Sequence, residues 1–243
     1  MKALPAPLAY VAHVKVGYES RRQSIESQMR RINIPFEFML DGDISDVTPE
    51  RKQEFFHADF LRVEPLSTVS CALKHLLIYQ RIVASGQPGA LVLEDDILLA
   101  PDFSAAFQRT LVEARQREEI DESQLFISYE NSYLRFVPRS ERKAGRQLYR
   151  AAATRACGAY YISRGSAAAV LERARTQKMN LPIDWFLNEM SRDGGLSIYW
   201  CEPTIAEQGS VNGTFPSSIT ARKAGLLRTI IFAAKKAFWR LAG

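Results

Sequence analysis

Cysteine is scarce in this chain, which holds three in 243 residues. Cys71, Cys157 and Cys201 are scattered, odd in number, and form no CxxC or CxxH pair. A disulfide framework or a structural zinc site is therefore not expected, and a reducing compartment fits this cysteine usage best.

Long apolar runs are also lacking. No stretch approaches the ~20 apolar residues that a membrane-spanning helix requires. Near the N-terminus, Pro5, Pro7 and His13 stand where a signal peptide needs an unbroken apolar core, so no secretion signal is predicted.

Acidic residues are missing from Thr220 onward, where six bases stand without an acid. These bases are Arg222, Lys223, Arg228, Lys235, Lys236 and Arg240. They account for the net charge of +5, because the rest of the chain has 26 basic and 27 acidic residues. The rest of the chain is near neutral, which argues against a protein that binds nucleic acid through a basic body.

The chain is long enough for one large α/β domain with a tail, and 47% of its residues are apolar. Strands are predicted near residues 8–16, 34–40, 90–93, 124–129, 158–162 and 196–201. Helices are predicted near residues 19–31, 67–84 and 101–119. Three more helices are predicted to begin near Thr48, Ser163 and Pro182. This alternation predicts a mixed, mainly parallel sheet with helices on both faces. Residues 133–154 are interpreted as a hairpin or a mobile loop, and residues 202–219 as loop.

The most informative stretch is the apolar run Ala90–Leu93 with the three acids that end it, Glu94, Asp95 and Asp96. The run is typical of a buried strand, and open α/β sheets bind ligands at the carboxyl ends of their strands. Three adjacent acids repel one another, so a divalent cation that holds a diphosphate is the expected partner. The alternative is a solvated acidic turn before the helix at Pro101-Asp102, and the triplet alone does not decide between them.

Several motifs occur in an order that resembles glycosyltransferase family 25, the bacterial lipooligosaccharide galactosyltransferase group. They are Arg21-Arg22 at the start of a helix, Asn33–Glu37, Asp41-Gly42, Leu66–His75, Leu91–Asp96, Cys157–Ala167 and Pro182–Asp184. The order and spacing carry the resemblance over roughly residues 8–219. Two departures stand out, since the family usually has Ser where this chain has Lys74 and Gly where it has Ser70.

The resemblance implies a GT-A type, Rossmann-like domain over residues 1–220, followed by a tail over residues 221–243. It implies an inverting transfer of a sugar, most often from UDP-galactose, to a sugar of a lipid-linked lipooligosaccharide or lipopolysaccharide core. The triplet occupies the place of the family's DxD-like acidic motif. We therefore expect Asp96 to bind Mn²⁺ or Mg²⁺, and Asp95 or Glu94 to contact the donor ribose or the waters of the metal.

Inversion needs a base that takes the proton of the acceptor hydroxyl. Asp184 is the first candidate, because it matches the family's Pro-Val-Asp-like element, although it could instead cap a helix beginning at Trp185. Glu189 and Glu207 are weaker candidates. His75 is expected to hydrogen-bond the donor or a carboxylate. Gln208 is a further donor-binding candidate, because in the family it lies in a loop that closes toward the donor, and Ser217-Ser218 follow it in the same loop. Arg21 and Arg22 are candidates for helping to bind the donor phosphates.

The tail carries an amphipathic pattern from Leu226 onward. Its apolar stripe comprises Leu226, Leu227, Ile230, Ile231, Ala234, Phe238 and Leu241, with bases on the other side and Phe232 and Trp239 beside the bases. The pattern favours an interfacial helix on anionic lipid, which would hold the enzyme at the cytoplasmic face of the plasma membrane. The alternative is a terminal helix packed on the protein's own core.

Three other functions compete with transfer. A glycoside hydrolase would use two carboxylates and need neither nucleotide nor metal. A catalytically silent, membrane-associated scaffold in glycan assembly would bind no donor. A nucleic-acid binder would use the tail and the arginines at 135–150, but no recognition motif supports it.

Overall fold

A computed structural model describes residues 9–216 and 225–242. The strands in this part of the chain are β1 Ala9–Ala12, β2 Phe36–Met39, β3 Gly89–Glu94, β4 Ile97–Leu99, β5 Leu125–Ser128, β6 Leu148–Arg150, β7 Ala159–Ser163, β8 Ser197–Cys201 and β9 Ala206–Gln208. The helices are α1 Glu19–Ile32, α2 Pro49–Phe55, α3 Ala58–Val63, α4 Leu66–Ser85, α5 Phe103–Gln116, α6 Arg164–Thr176, α7 Ile183–Arg192, α8 Gly209–Asn212 and α9 Leu226–Ala242.

Seven strands form the main sheet, in the order β2-β1-β3-β7-β5-β8-β6. Five of them run in one direction, while β7 and β6 run against their neighbours. The predicted mixed, mainly parallel sheet is therefore confirmed. A second, antiparallel pair joins β4 to β9 and brings the C-terminal part of the domain beside the end of β3.

Hydrophobic cores cover both faces of the main sheet. Side chains of α4, α6 and α7 pack on one face, and side chains of α1 and α5 pack on the other. Tyr160 and Tyr161 show the consequence, because one joins each core and both are buried. Alternation along a strand would place one of two adjacent tyrosines in solvent only in a sheet with one solvated face, and this sheet has none at β7.

Local signals set several helix ends. The Thr48 hydroxyl accepts the Arg51 N–H before α2, and the Ser163 hydroxyl accepts the Ser166 N–H before α6. Gly86 follows α4 with a φ of 70°, a left-handed conformation that favours glycine.

Two interpretations of irregular segments were wrong in part. Residues 202–219 were interpreted as loop, but they include β9 and α8. Residues 133–154 form neither a hairpin nor only a loop, because β6 becomes an edge strand antiparallel to β8. In both cases the pairing partner lies far away in sequence, so local periodicity carried no signal for it.

Helix α9 is attached to the domain through one side only. Its half-buried residues Arg228, Thr229, Phe232 and Lys236 face the protein, and the Arg228 guanidinium donates to the carbonyls of Ser210 and Val211. The apolar stripe lies on the opposite side, where Leu226, Leu227, Ile230, Ile231 and Phe238 are exposed. Phe232 was expected beside the bases at headgroup level, but it lines a cavity between α9 and residues 139–142.

Within residues 9–216 and 225–242, the helices are all too short or too polar to cross a membrane. The predicted domain boundary between residues 220 and 221 lies outside the described residues, as do Ser217 and Ser218.

Candidate active site

The acidic triplet lies at the carboxyl end of β3, in the middle of the main sheet. Glu94 ends the strand, and its backbone N–H donates to the carbonyl of Gly158 at 2.8 Å. The two acids that follow leave the strand in a turn before β4, so the three carboxylates point to three different environments.

Asp95 is held between two basic side chains. Its Oδ2 lies 2.7 Å from His13 Nδ1, and its Oδ1 accepts a hydrogen bond from Arg21 Nη1 at 3.1 Å. All three side chains are buried. Both oxygens of Asp95 thus have partners in the protein. Arg21, which was a candidate for binding phosphate, forms this ion pair and donates to the carbonyl of Pro216.

Asp96 lies beneath the segment formed by β9 and α8. It is 2% exposed, and its Oδ2 accepts the Ser210 N–H at 3.1 Å. Its backbone carbonyl accepts the Gly209 N–H at 2.8 Å, while its Oδ1 is buried without a hydrogen-bond partner. Burial, and then the charge of Glu94, raise the pKa of Asp96 to about 6.

Glu94 joins the triplet to α4 and β9. Its Oε2 accepts a hydrogen bond from Gln208 Nε2 at 2.6 Å. Its Oε1 lies 3.7 Å from Cys71 Sγ and 3.6 Å from His75 Nε2. The structure therefore brings together three predicted donor-site residues, Glu94, His75 and Gln208, that are far apart in the sequence.

Glu130 is a fourth acid of this site, and it was not predicted from the sequence. It is fully buried beyond the end of β5 and accepts hydrogen bonds from the Ser132 hydroxyl and the Gly158 N–H. Burial raises its pKa to about 8, and the charges of Glu94 and Asp96 act in the same direction. The available signal was its place directly after an apolar strand, the same place that Glu94 occupies.

Gly158 allows this close approach. A Cβ at that position would lie 2.6 Å from Glu130 Oε1 and 2.8 Å from Ile97 Cδ1, both well inside van der Waals contact.

Asp184 lies in the first turn of α7. The helix begins at Ile183 and follows Pro182, so the alternative that Asp184 caps a helix beginning at Trp185 was wrong. Burial is the largest cause that raises the pKa of Asp184. The backbone N–H groups of Trp185 and of Asp184 itself lower this pKa, and the charge of Glu94 raises it. Glu94 and His75 are near enough to influence this carboxyl, so Asp184 belongs to the same site.

The two weaker base candidates lie elsewhere. Glu207 binds Lys236 of α9 and accepts a hydrogen bond from Asn212 at 3.3 Å. Glu189 lies on the outer side of α7 with Arg173 and Arg192 at 3.9 and 3.7 Å. The candidate helper Arg22 pairs with Glu26 on α1 at 3.0 Å.

The two departures from the family pattern contact the same turn. The Ser70 hydroxyl donates to the Gly42 carbonyl at 2.7 Å. The Lys74 ammonium donates to the carbonyls of Leu40 and Asp41 at 3.0 and 3.2 Å and pairs with Asp43 at 2.7 Å. Both substitutions therefore fasten the turn after β2 to α4.

Four carboxylates, Glu94, Asp96, Glu130 and Asp184, thus share one site in the described part of the chain. Burial and mutual repulsion raise the pKa values of Asp96, Glu130 and Asp184. A divalent cation would offset this repulsion, and the unpartnered Asp96 Oδ1 is a hard oxygen ligand of the kind that Mn²⁺ or Mg²⁺ takes. The donor set fits such an ion.

No curated protein matches this chain. A family model described as glycosyltransferase family 25 (LPS biosynthesis protein) matches residues 14–187. The matched part includes His75, the acidic triplet, Glu130 and Asp184, and it stops before β9 and α9. Because the match covers well over half of the sequence and the fold agrees with it, the chain belongs to glycosyltransferase family 25.

Proposed function

We propose that this glycosyltransferase is a cation-dependent, inverting enzyme that moves galactose from UDP-galactose to a sugar of a lipid-linked lipopolysaccharide core. The observation that carries the proposal is the buried carboxylate oxygen of Asp96, which has no hydrogen-bond partner and shares its site with Glu94, Glu130 and Asp184. Such a group is costly in the folded protein, and a cation that accompanies a nucleoside diphosphate would offset the cost.

Asp96 would hold the Mn²⁺ or Mg²⁺ ion, with donor phosphates and water completing its coordination. When bound, the ion would supply Lewis-acid stabilisation of the leaving diphosphate. Glu94, fixed by Gln208 and near His75, would contact the donor. Asp95 would act through its pairs with His13 and Arg21, which hold the turn of the triplet in place.

Asp184 would accept the proton of the acceptor hydroxyl while that oxygen attacks the anomeric carbon and the bond to the diphosphate breaks. A carboxylate whose pKa is raised toward neutrality is a more effective base than an ordinary one. Trp185, which follows it, is 59% exposed and offers an aromatic face on which an acceptor sugar could pack.

The test is a thermal-shift screen of nucleotide sugars with and without Mn²⁺, followed by a transfer assay. A ligand that binds only the folded protein raises its melting temperature by mass action. We expect a Mn²⁺-dependent shift with UDP-galactose, and its loss together with transfer in a folded Asp96→Asn variant. Asp102→Asn is the matched control, because this exposed acid lies six residues further on and its only partner within 4 Å among the described residues is Arg109, at 3.9 Å.

Full transfer activity of the Asp96→Asn variant would refute the proposed role of Asp96 in binding the metal ion. A cooperative melt that no nucleotide shifts would instead favour the scaffold or the hydrolase. Hydrolysis of a glycoside without nucleotide would select the hydrolase.

We also propose that α9 binds the anionic inner surface of the plasma membrane. The protein side of the helix is occupied by Arg228, Thr229, Phe232 and Lys236, and the apolar stripe faces away from the domain. The described part of α9 has basic side chains at 228, 235, 236 and 240 and no acid, which is the charge pattern that anionic lipid attracts. This orientation would place the domain beside the membrane that carries the lipid-linked acceptor.

Flotation with vesicles tests the membrane proposal. The wild type should bind vesicles of phosphatidylglycerol and phosphatidylcholine, and less so as salt rises. A double variant, Ile230→Glu with Phe238→Glu, should lose roughly tenfold or more in binding per substitution, because each removes an apolar side chain from the contact. Val63→Glu, at an exposed apolar position on α3, is the control. Unchanged flotation of the double variant, or of a chain without residues 221–243, would refute the proposal.

A further inference from the structure

Cys71, His75 and Glu94 form a compact group with three different ligand atoms. The thiol and the imidazole lie one turn apart on α4, and the carboxylate ends β3 opposite them. Cys71 Sγ, His75 Nε2 and a Glu94 carboxylate oxygen all lie within 4.8 Å of one another. Cys71 and His75 form a Cys-x₃-His pair, which is neither a CxxC nor a CxxH pair, so the cysteine spacing in the sequence did not indicate this group.

Two of the three distances between ligand atoms are close to those that one tetrahedral ion would impose. Zinc binds sulfur at about 2.3 Å and nitrogen or oxygen at about 2.0–2.1 Å, so neighbouring ligand atoms around a tetrahedral ion lie roughly 3.3–3.6 Å apart. Glu94 Oε1 lies 3.7 Å from Cys71 Sγ and 3.6 Å from His75 Nε2. The third pair, Cys71 Sγ and His75 Nε2, lies within 4.8 Å, and a bound ion would draw these two atoms together.

His75 provides an independent observation. It is fully buried, and its Nε2 has no hydrogen-bond partner although it points at Glu94. A buried ring nitrogen without a partner is costly, and a metal ion would satisfy it.

The ligands also have the supporting contacts that metal sites use. His75 Nδ1 lies 2.7 Å from the Tyr160 hydroxyl, which lies 2.8 Å from the Tyr79 hydroxyl. An Nδ1–H that donates to Tyr160 would leave Nε2 free as a ligand. Glu94 is held from its other oxygen by Gln208 at 2.6 Å. Cys71 and Glu94 are partly exposed, so an ion can reach the site.

We propose that Cys71, His75 and Glu94 bind Zn²⁺, with water as the fourth ligand. The thiolate and imidazole select a borderline-soft ion over the hard Mn²⁺ or Mg²⁺ proposed at Asp96. The ion would tie the middle of α4 to the end of β3. The site shares Glu94 and His75 with the proposed donor pocket, but Zn²⁺ binding itself is measured without nucleotide.

Cobalt spectroscopy on chelator-stripped, full-length protein tests the site without any nucleotide. One equivalent of Co²⁺ should give the visible bands of tetrahedral cobalt and a thiolate-to-cobalt charge-transfer band, and one equivalent of Zn²⁺ should remove both. Competition with a chromophoric zinc indicator then gives the affinity for Zn²⁺.

Cys71→Ser should abolish the charge-transfer band and weaken Zn²⁺ binding at least tenfold, because even the loss of an outer partner of a ligand costs about 10–100-fold. Glu94→Gln changes a partly exposed carboxylate and should weaken binding by a similar factor, which covers the case that Cys71→Ser fails to fold. Cys201→Ser, a buried free cysteine elsewhere, is the control and should leave both bands unchanged. Asp96→Asn should leave them unchanged as well.

Absence of tetrahedral cobalt bands, or equal Zn²⁺ affinity of the folded Cys71→Ser variant and the wild type, would overturn the proposal. Loss of the bands in Asp96→Asn but not in Cys71→Ser would also overturn it, because the ion would then sit among the acids. These measurements use no nucleotide, so failure of the zinc proposal is distinguishable from failure of the transfer proposal, whose test uses UDP-galactose and Mn²⁺.

Discussion

The buried carboxyl of Glu130 permits a quantitative prediction about stability and pH. Its ordinary pKa of 4.5 is raised to about 8 in the folded protein, with burial as the largest cause. At neutral pH the folded protein therefore keeps a proton that the unfolded chain releases. Raising the pH favours the unfolded chain until the pH passes the folded pKa.

The size of the effect follows from the shift. Each pH unit between 4.5 and 8 removes about 1.4 kcal/mol of stability, so the loss at pH 7 amounts to about 3 kcal/mol. Glutamine cannot titrate, and it can repeat both contacts of the protonated acid. Its oxygen can accept the Gly158 N–H and its amide can donate to the Ser132 hydroxyl, the two groups that contact Glu130.

We therefore expect Glu130→Gln to stabilise the protein by about 3 kcal/mol at pH 7 and by almost nothing at pH 4.5. Urea unfolding followed by far-UV circular dichroism measures this difference, in chelator so that no cation occupies the acidic site. Glu172→Gln, at an exposed position of α6, is the control and should change stability by less than about 0.5 kcal/mol at either pH. A Glu130→Gln variant that is less stable than the wild type at pH 7, or a gain equal at both pH values, would refute the reasoning.

Two further changes test other parts of the molecule. Asp184→Asn should lower kcat by about 10²-fold or more and leave the donor-induced thermal shift unchanged, because it removes the base and not the donor site. Steady-state transfer assays measure kcat, and an unchanged kcat would exclude Asp184 as the base. Arg155→Ala should cost about 3–5 kcal/mol in urea unfolding, because the Arg155 guanidinium pairs at 2.7 Å with Glu202 and its loss leaves a buried charge alone. A loss below about 1 kcal/mol would show that Glu202 is satisfied in another way.

Local chemistry made much of the fold predictable. The alternation of apolar runs and helical patterns predicted the sheet and its helices. Thr48 and Ser163 cap the starts of α2 and α6 through contacts within three residues, and Gly86 ends α4 in a left-handed conformation. The acidic triplet was placed correctly at the carboxyl end of a buried strand, because charged side chains follow a buried apolar run where the strand leaves the core.

The surroundings of each acid could not be predicted in the same way. Three adjacent carboxylates, a basic and amphipathic tail, and an order of motifs that resembles family 25 are visible in the sequence alone. Only the tertiary structure separated Asp95, paired with His13 and Arg21, from Asp96, buried under α8, and added Glu130 to the site. Likewise, only the structure turned the apolar stripe of α9 away from the domain. The physical reason is that burial, charge and orientation depend on contacts between segments far apart in sequence, whereas helix and strand patterns depend on neighbours along the chain.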